Sequence, residues 1–211
     1  MSRSDELAWL LEAARRLDLT LEDSQGEALL QLVDELERAN AEFNLTAIRD
    51  RPAMLGKHVL DSLSVQPYLR GTRIADVGTG AGFPGLPLAV VNPGRRFTLI
   101  EATGKKARYV DRTVERLHLA NVEVQNSRAE HYRPAVRFDS VVARALSSLG
   151  DFVGYAGHLC APDGRLLAMK GKLPDQEIAA LPKSFRVAAV HRLELPGLDA
   201  ERHLVELSPA L

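Results

Sequence analysis

Cysteine is all but missing from this sequence of 211 residues: Cys160 stands alone. One thiol cannot close an internal disulfide, and it leaves no cysteine-rich metal cage. No nucleophilic role is assigned to Cys160; a small buried residue inside a helix is the expectation. Long apolar runs are also lacking, so no segment is expected to span a bilayer. The opening stretch Met1–Leu11 mixes Arg3, Asp5 and Glu6 among its apolar residues. It therefore lacks the basic-then-apolar order of a secretory signal, and a cytoplasmic protein without membrane contact is expected. An excess of one charge is missing too, because 27 Lys+Arg and 28 Asp+Glu leave a net charge of −1. Composition alone does not announce a nucleic-acid partner.

What is present is the 45% apolar, 26% charged make-up of a globular chain. Its length suits one α/β domain with an appendage, and a monomer is expected. The charges are unevenly placed. Residues Met1 to Arg70 hold 8 basic and 13 acidic side chains, whereas Gly71 to Leu211 hold 19 and 15. That asymmetry marks two modules, a helical cap over 1–70 and a larger unit over 71–211.

Apolar residues recur at helical spacing at Leu7, Leu10, Leu11, Ala14 and Leu17, and again at Leu29, Val33, Leu36 and Phe43 after a start signal near Asp23 and Ser24. A third helix is expected from Pro52 towards Val65, closed by Pro67. From Arg73 onward, short apolar runs alternate with helical stretches, the pattern of βαβ units and a doubly wound, mostly parallel sheet. The expected strands are Arg73–Val77, Phe97–Ile100, Val122–Gln125, Ser140–Ala143 and Leu166–Met169. Helices are expected near Leu86–Val91, Lys105–Leu117 and Leu149–Leu159. Phe185–Leu193 and His203–Leu207, separated by Pro196-Gly197 with no helix between them, predict an antiparallel hairpin at one sheet edge.

The run Asp76-Val77-Gly78-Thr79-Gly80-Ala81-Gly82-Phe83-Pro84-Gly85 falls where the first strand meets the first following helix, the ligand crevice of such a sheet. Glycines there let the backbone turn sharply and approach a ligand that a Cβ would push away. Gly80-x-Gly82-x-x-Gly85 also matches the dinucleotide fingerprint, so two cofactors compete. A dinucleotide needs bare N–H groups at a helix N-terminus for its pyrophosphate. S-adenosylmethionine has no phosphate and carries a sulfonium and an ammonium. Asp76, two residues before Gly78, is expected to favour that cationic ligand and to repel a pyrophosphate. Glu101, ending the second strand, can accept from a ribose diol of either cofactor. After the third strand, Ser127-Arg128-Ala129-Glu130 can embrace an adenine, although a solvated Glu130 is an equal reading.

These residues resemble the bacterial small-subunit ribosomal RNA guanine-N7 methyltransferases of the RsmG family, also called glucose-inhibited division protein B. The resemblance runs over nearly the whole chain. It rests on Asn44-Leu45-Thr46, His58-Val59-Leu60-Asp61-Ser62, the Asp76–Gly85 loop, Ala143-Arg144-Ala145, Lys170-Gly171 and Glu201-Arg202-His203-Leu204-Val205. It implies a class I methyltransferase fold with S-adenosylmethionine as cofactor, and 16S ribosomal RNA or the small ribosomal subunit as partner. Cofactor contacts are implied at Gly78, Gly80, Phe83, Glu101, Ala102, Thr103, Ala129, Glu130 and Arg144. Ala81 departs from the proline of other members, which should alter loop stiffness and leave the chemistry untouched.

Guanine N7 offers a lone pair and has no proton to lose, so no catalytic acid or base is expected, and no metal. Proximity and orientation carry the acceleration, worth on the order of 7–11 kcal/mol in well-oriented reactions. The Asn/Asp-Pro-Pro-aromatic motif of amino-group methyltransferases is missing where Ala143-Arg144-Ala145 stands. N7 lies in the deep groove of A-form RNA, so the target should be an unpaired or flipped guanine. Asn44, His58, Asp61 and Lys170 are candidates for substrate binding. For the first three, locking the helical cap onto the sheet is slightly preferred. Arg128, Arg133, Arg137, Arg144, Lys170 and Lys172 are expected to form one basic rim for phosphates. Lys105, Arg108, Arg112 and Arg116 read as a solvated helix face. Two other functions stay open: an NAD-dependent oxidoreductase using the same glycine loop, for which no hydride-transfer site is found, and a non-catalytic ribosome assembly factor with a vestigial fold.

Overall fold

The computed structural model describes residues 2–145, 147–197 and 200–210. Helix α1 (Arg3–Arg15) opens on a capping box, in which the Ser2 hydroxyl accepts from the Asp5 N–H and the Asp5 carboxylate accepts from the Ser2 N–H. The longer α2 (Asp23–Phe43) starts at Glu22, whose N–H donates to Gln25. It ends at Asn44, which turns the chain with φ 49°. The third expected helix is present as α3 (Arg51–Met54), a π-helical turn over Leu55–Leu60, and α4 (Asp61–Leu63). The widened turn carries His58, and nothing in the apolar periodicity announces it.

Five parallel strands follow: β1 (Arg73–Val77), β2 (Arg96–Ile100), β3 (Val122–Gln125), β4 (Phe138–Ala143) and β5 (Cys160–Lys170). Helices α5 (Gly85–Val91), α6 (Gly104–Arg116) and α7 (Leu149–Ala156) connect them. The short α8 (Asp175–Ala179) leads to β6 (Phe185–Arg192) and β7 (His203–Pro209). The strand order is β3-β2-β1-β4-β5-β7-β6. The final pair is antiparallel as expected, but β7 is the inner strand and alone opposes the others; β6, at the edge, runs with the parallel set. The winding reverses between β1 and β4, which opens the ligand crevice at their carboxyl ends.

Cys160 is the first residue of β5 and lies in no helix, so that expectation is corrected. It remains far from the carboxyl ends of the strands, and burial pushes its thiol up to about 12.

Two apolar layers flank the sheet. One joins Leu10, Leu29, Leu32 and Leu36 of the N-terminal helices to Ile74, Leu86, Leu99 and Val142. The other packs Phe152 and Leu149 of α7 on Ala75, Val141 and Leu166. The N-terminal helices thus cover one sheet face without a core of their own. Alternation fixes which strand residues reach which layer, since neighbours along a strand point to opposite faces.

Helix α6 corrects the solvated-stripe reading at its two ends. Lys105 Nζ sits 4.3 Å from the centre of the Phe43 ring, and Arg116 pairs with the buried Glu35 of α2. Only Arg108 and Arg112, both exposed, lie between those contacts.

Candidate active site

The glycine loop is built around Asp76. Its Oδ2 accepts from Thr79 Oγ1 at 2.5 Å and from the Gly85 N–H at 2.8 Å, clasping the loop to the start of α5. A Cβ on Gly85 would lie 2.7 Å from that same oxygen, so this position has room only for glycine. Asp76 is fully buried, and its Oδ1 has no hydrogen-bond partner among the described residues. Its expected role, facing a cationic ligand and repelling a pyrophosphate, is corrected: it organises the loop from beneath. The choice of cofactor cannot rest on it.

Above Asp76, Gly78 and Gly80 take φ of +69° and +62°. A Cβ on Gly78 would meet nothing within 4 Å, and one on Gly80 would approach only the Gly78 carbonyl, at 3.9 Å. Both point into open space. Gly78 lines a cleft of about 190 Å³ with Val77, Ile100, Ala102, Ala129, Glu130 and Tyr155. Glu101 is buried beside it and accepts from the Gly80 N–H at 2.9 Å and the Thr103 N–H at 2.7 Å. A carboxylate has about four lone-pair sites, so acceptor capacity remains for a ribose diol. The Asn126 side chain steadies this corner by donating to the Glu101 carbonyl at 2.8 Å.

A second cluster adjoins the loop. Phe83 is buried, its ring stacked 4.9 Å from the His58 ring, with the Arg144 guanidinium 5.5 Å from its centre. Arg144 follows β4, and the next residue, Ala145, adopts a strained φ of 56°. Asp61 is 3% exposed and holds two arginines: Arg144 at 3.3 Å and, through its other oxygen, Arg202 at 2.9 Å. This one carboxylate ties the helical segment to the end of β4 and the start of β7. Arg144 also donates to the Lys57 carbonyl at 3.1 Å and approaches His58 Nδ1 at 3.3 Å. A guanidinium only donates, so Nδ1 accepts and the proton resides on Nε2, which faces Thr46 Oγ1 at 2.9 Å. Burial first, and then the Arg144 charge, hold His58 down at about 4, so it is neutral at neutral pH.

The structure thus gathers Gly78, Ala102, Ala129 and Glu130 around the cleft, with Gly80, Glu101 and Thr103 as its supports. It gathers Phe83, Arg144, His58 and Asp61 into the neighbouring cluster. Asn44 stays at the exposed end of α2 and accepts from Arg49 at 2.8 Å. Lys170 is paired with Glu177 at 2.8 Å and only 10% of its side chain is exposed, so it is a strut between β5 and α8 rather than a free cation. The single basic rim is corrected as well: Arg137 directly precedes β4, at the opposite end of the sheet from Arg144. Sequence reasoning missed Thr46, Tyr155 and the Asp61 to Arg202 link. For Arg202, the Glu201-Arg202-His203 motif was a signal without an assigned role.

His58 and Asp76 make opposed predictions for stability. Between pH 4 and 6.5 the unfolded chain protonates His58 while the native one does not, so falling pH destabilises the fold. Burial raises Asp76 to about 6, so between pH 3.8 and 6 the native state takes the extra proton and falling pH stabilises it. The two terms offset each other in wild type. His58→Gln should therefore gain stability relative to wild type as pH falls from about 6 to about 4, and Asp76→Asn should lose it. Urea midpoints across that range measure both, and parallel curves for all three proteins would refute the offset.

Sheet order, the antiparallel penultimate strand and the glycine-lined cleft define a class I methyltransferase fold. The solved glycopeptide N-methyltransferase MtfA, complexed with S-adenosylmethionine, matches with TM-score 0.63 at 12% identity, over 72% of this chain and 94% of that one. A methyltransferase from Thiobacillus denitrificans, complexed with S-adenosylhomocysteine, matches with TM-score 0.54 at 14% identity, over 71% and 91%. These likenesses are of fold. In sequence, the model of the GidB family, rRNA small subunit methyltransferase G, matches residues 25–205. The ribosomal RNA small subunit methyltransferase G of Nitrosococcus oceani is 48% identical, over 92% of this chain and 90% of its own length. The chain belongs to the rRNA small subunit methyltransferase G family.

Proposed function

We propose that the protein uses S-adenosylmethionine to methylate N7 of an unpaired guanine in 16S ribosomal RNA, within or outside the assembled small subunit. The observation that carries the cofactor assignment is the open space that Cβ atoms on Gly78 and Gly80 would fill. When bound, S-adenosylmethionine supplies an electrophilic methyl group on its sulfonium. Gly78, Ala102 and Ala129 form a surface for the adenosine, with Glu130 and Tyr155 at its border. Glu101 offers its spare lone pairs to the ribose. Residues 71–211 act as the cofactor-binding unit, and residues 1–70 as a cap that brings His58 and Asp61 to Arg144.

Neutral His58 fits a target atom that loses no proton. It positions through Thr46, Phe83 and Arg144 and has no proton to take at working pH. The test is single-turnover methyl transfer to small-subunit RNA with saturating cofactor, read by strand scission at 7-methylguanosine. The rate should be flat from about pH 6.5 to about 8.5, since an essential base would impose a log-linear fall below its pKa. An acid limb that vanishes in His58→Ala would make the histidine a base and overturn N7 as the acceptor.

A further inference from the structure

At the amino ends of β1, β2 and β3, about 13 Å of strand away from the cofactor cleft, lies a groove of about 840 Å³ that the proposed reaction does not use. Arg73, Arg95, Arg96, Tyr132 and Val136 are among the residues that line it. Arg73 and Arg96 are direct partners in the β1–β2 register, so two like charges stand side by side on adjacent strands. Such neighbours repel unless an anion lies between or beside them. Asp139 neutralises Arg73 at 3.0 Å. Among the described residues Arg95 and Arg96 pair with no carboxylate, and Nη1 of Arg95 is buried without any acceptor. A buried, unpaired guanidinium nitrogen is costly until an acceptor reaches it. The Arg95 turn is held in place: Asn121 Nδ2 lies 3.1 Å from each of the Ala89, Asn92 and Arg95 carbonyls, which fixes it against β3. Along the opposite lip, Tyr132 is half-buried and Val136 is 57% exposed, giving an apolar wall on which a base can rest.

We infer that this groove is a second nucleic-acid site, in which Arg95 and Arg96 hold phosphates of a single-stranded RNA segment while Tyr132 takes a base. Two unpaired guanidinium groups beside an aromatic side chain match the backbone-plus-stacking chemistry of single-strand recognition. A protein anchored there holds its RNA at a point remote from the methylated nucleotide. The proposal rests on an RNA substrate, as proposed above, for its biological sense; its chemistry is testable apart from it.

The experiment measures binding of a short fluorescent single-stranded RNA, unrelated in sequence to any substrate, to the full chain as a function of salt. Wild type, Arg96→Gln, Arg95→Gln/Arg96→Gln and Tyr132→Ala are compared, with S-adenosylhomocysteine affinity as the control for folding. The double variant should bind RNA at least tenfold more weakly at low salt, and its salt slope should fall by about two, one for each lost phosphate contact. S-adenosylhomocysteine affinity should stay unchanged. Inorganic phosphate that competes at equal phosphate concentration would reduce the site to a free-anion site. Unchanged RNA affinity in the double variant, or tighter binding of an acidic peptide than of RNA, would overturn the proposal. Loss of groove binding in a protein whose wild type methylates no ribosomal RNA would sink the proposed function and leave this site standing.

Discussion

Gly78→Val should abolish cofactor binding, with affinity for S-adenosylhomocysteine falling more than 100-fold, while the protein still folds. Two effects act together. Valine at φ +69° sits in a region that a β-branched side chain avoids, at a cost of about 1–3 kcal/mol. A domain with a stability of roughly 5–15 kcal/mol survives that strain. The side chain then projects into the open cleft, where its methyl groups occupy the volume that the cofactor needs. Calorimetric titration measures the loss, and a melting curve confirms folding. A variant that binds with wild-type affinity would remove the cleft from consideration as the cofactor site.

The second large effect is expected at Asp61→Ala. Removing one partner of a buried pair leaves an uncompensated charge behind and costs about 3–5 kcal/mol. Here the two arginines are each about a quarter exposed, so water recovers part of the loss. A destabilisation of about 3 kcal/mol follows, or roughly 10 °C in melting temperature for a chain of this size. Asp61→Asn keeps the shape and the acceptor oxygen and should lose about half as much. Because Asp61 orders Arg144, both variants should also lose catalytic rate. Arg202→Gln should resemble the milder of the two, since Arg202 touches the site only through Asp61. If Asp61→Ala melts within a degree or two of wild type, the carboxylate does not lock the helical segment to the sheet.

The fold was legible where periodicity and punctuation agree. Strands β1 and β3 have the residues that their apolar runs predict, and the glycine loop sits at the reversal of the sheet. The boundary of β5 was less visible: it begins at Cys160, six residues ahead of the apolar run at Leu166, through a stretch whose Pro162, Asp163 and Gly164 read as a turn. There, pairing with β4 overrides local propensity. The site was legible in residue type more than in role. Asp76 looked like a ligand contact because an acid at a strand end is ambiguous between facing a crevice and clasping its loop; only burial decides. Lys170 looked free because its partner Glu177 belongs to the next helix. The π-helical turn at His58 had no signal, since its sequence suits an ordinary helix equally well.

The order of β7 and β6 also bears on synthesis. Strand β7 comes last in the chain and lies inside the sheet, between β5 and β6. When a ribosome has translated only as far as Arg192, β6 has no neighbour to pair with, and β5 keeps a bare edge on that side. Such an edge is sticky. The sheet is completed in one late step, when residues 203–209 slot between two strands made earlier. Nascent chains arrested just before that segment should therefore be markedly more prone to aggregation and proteolysis than chains arrested just after it.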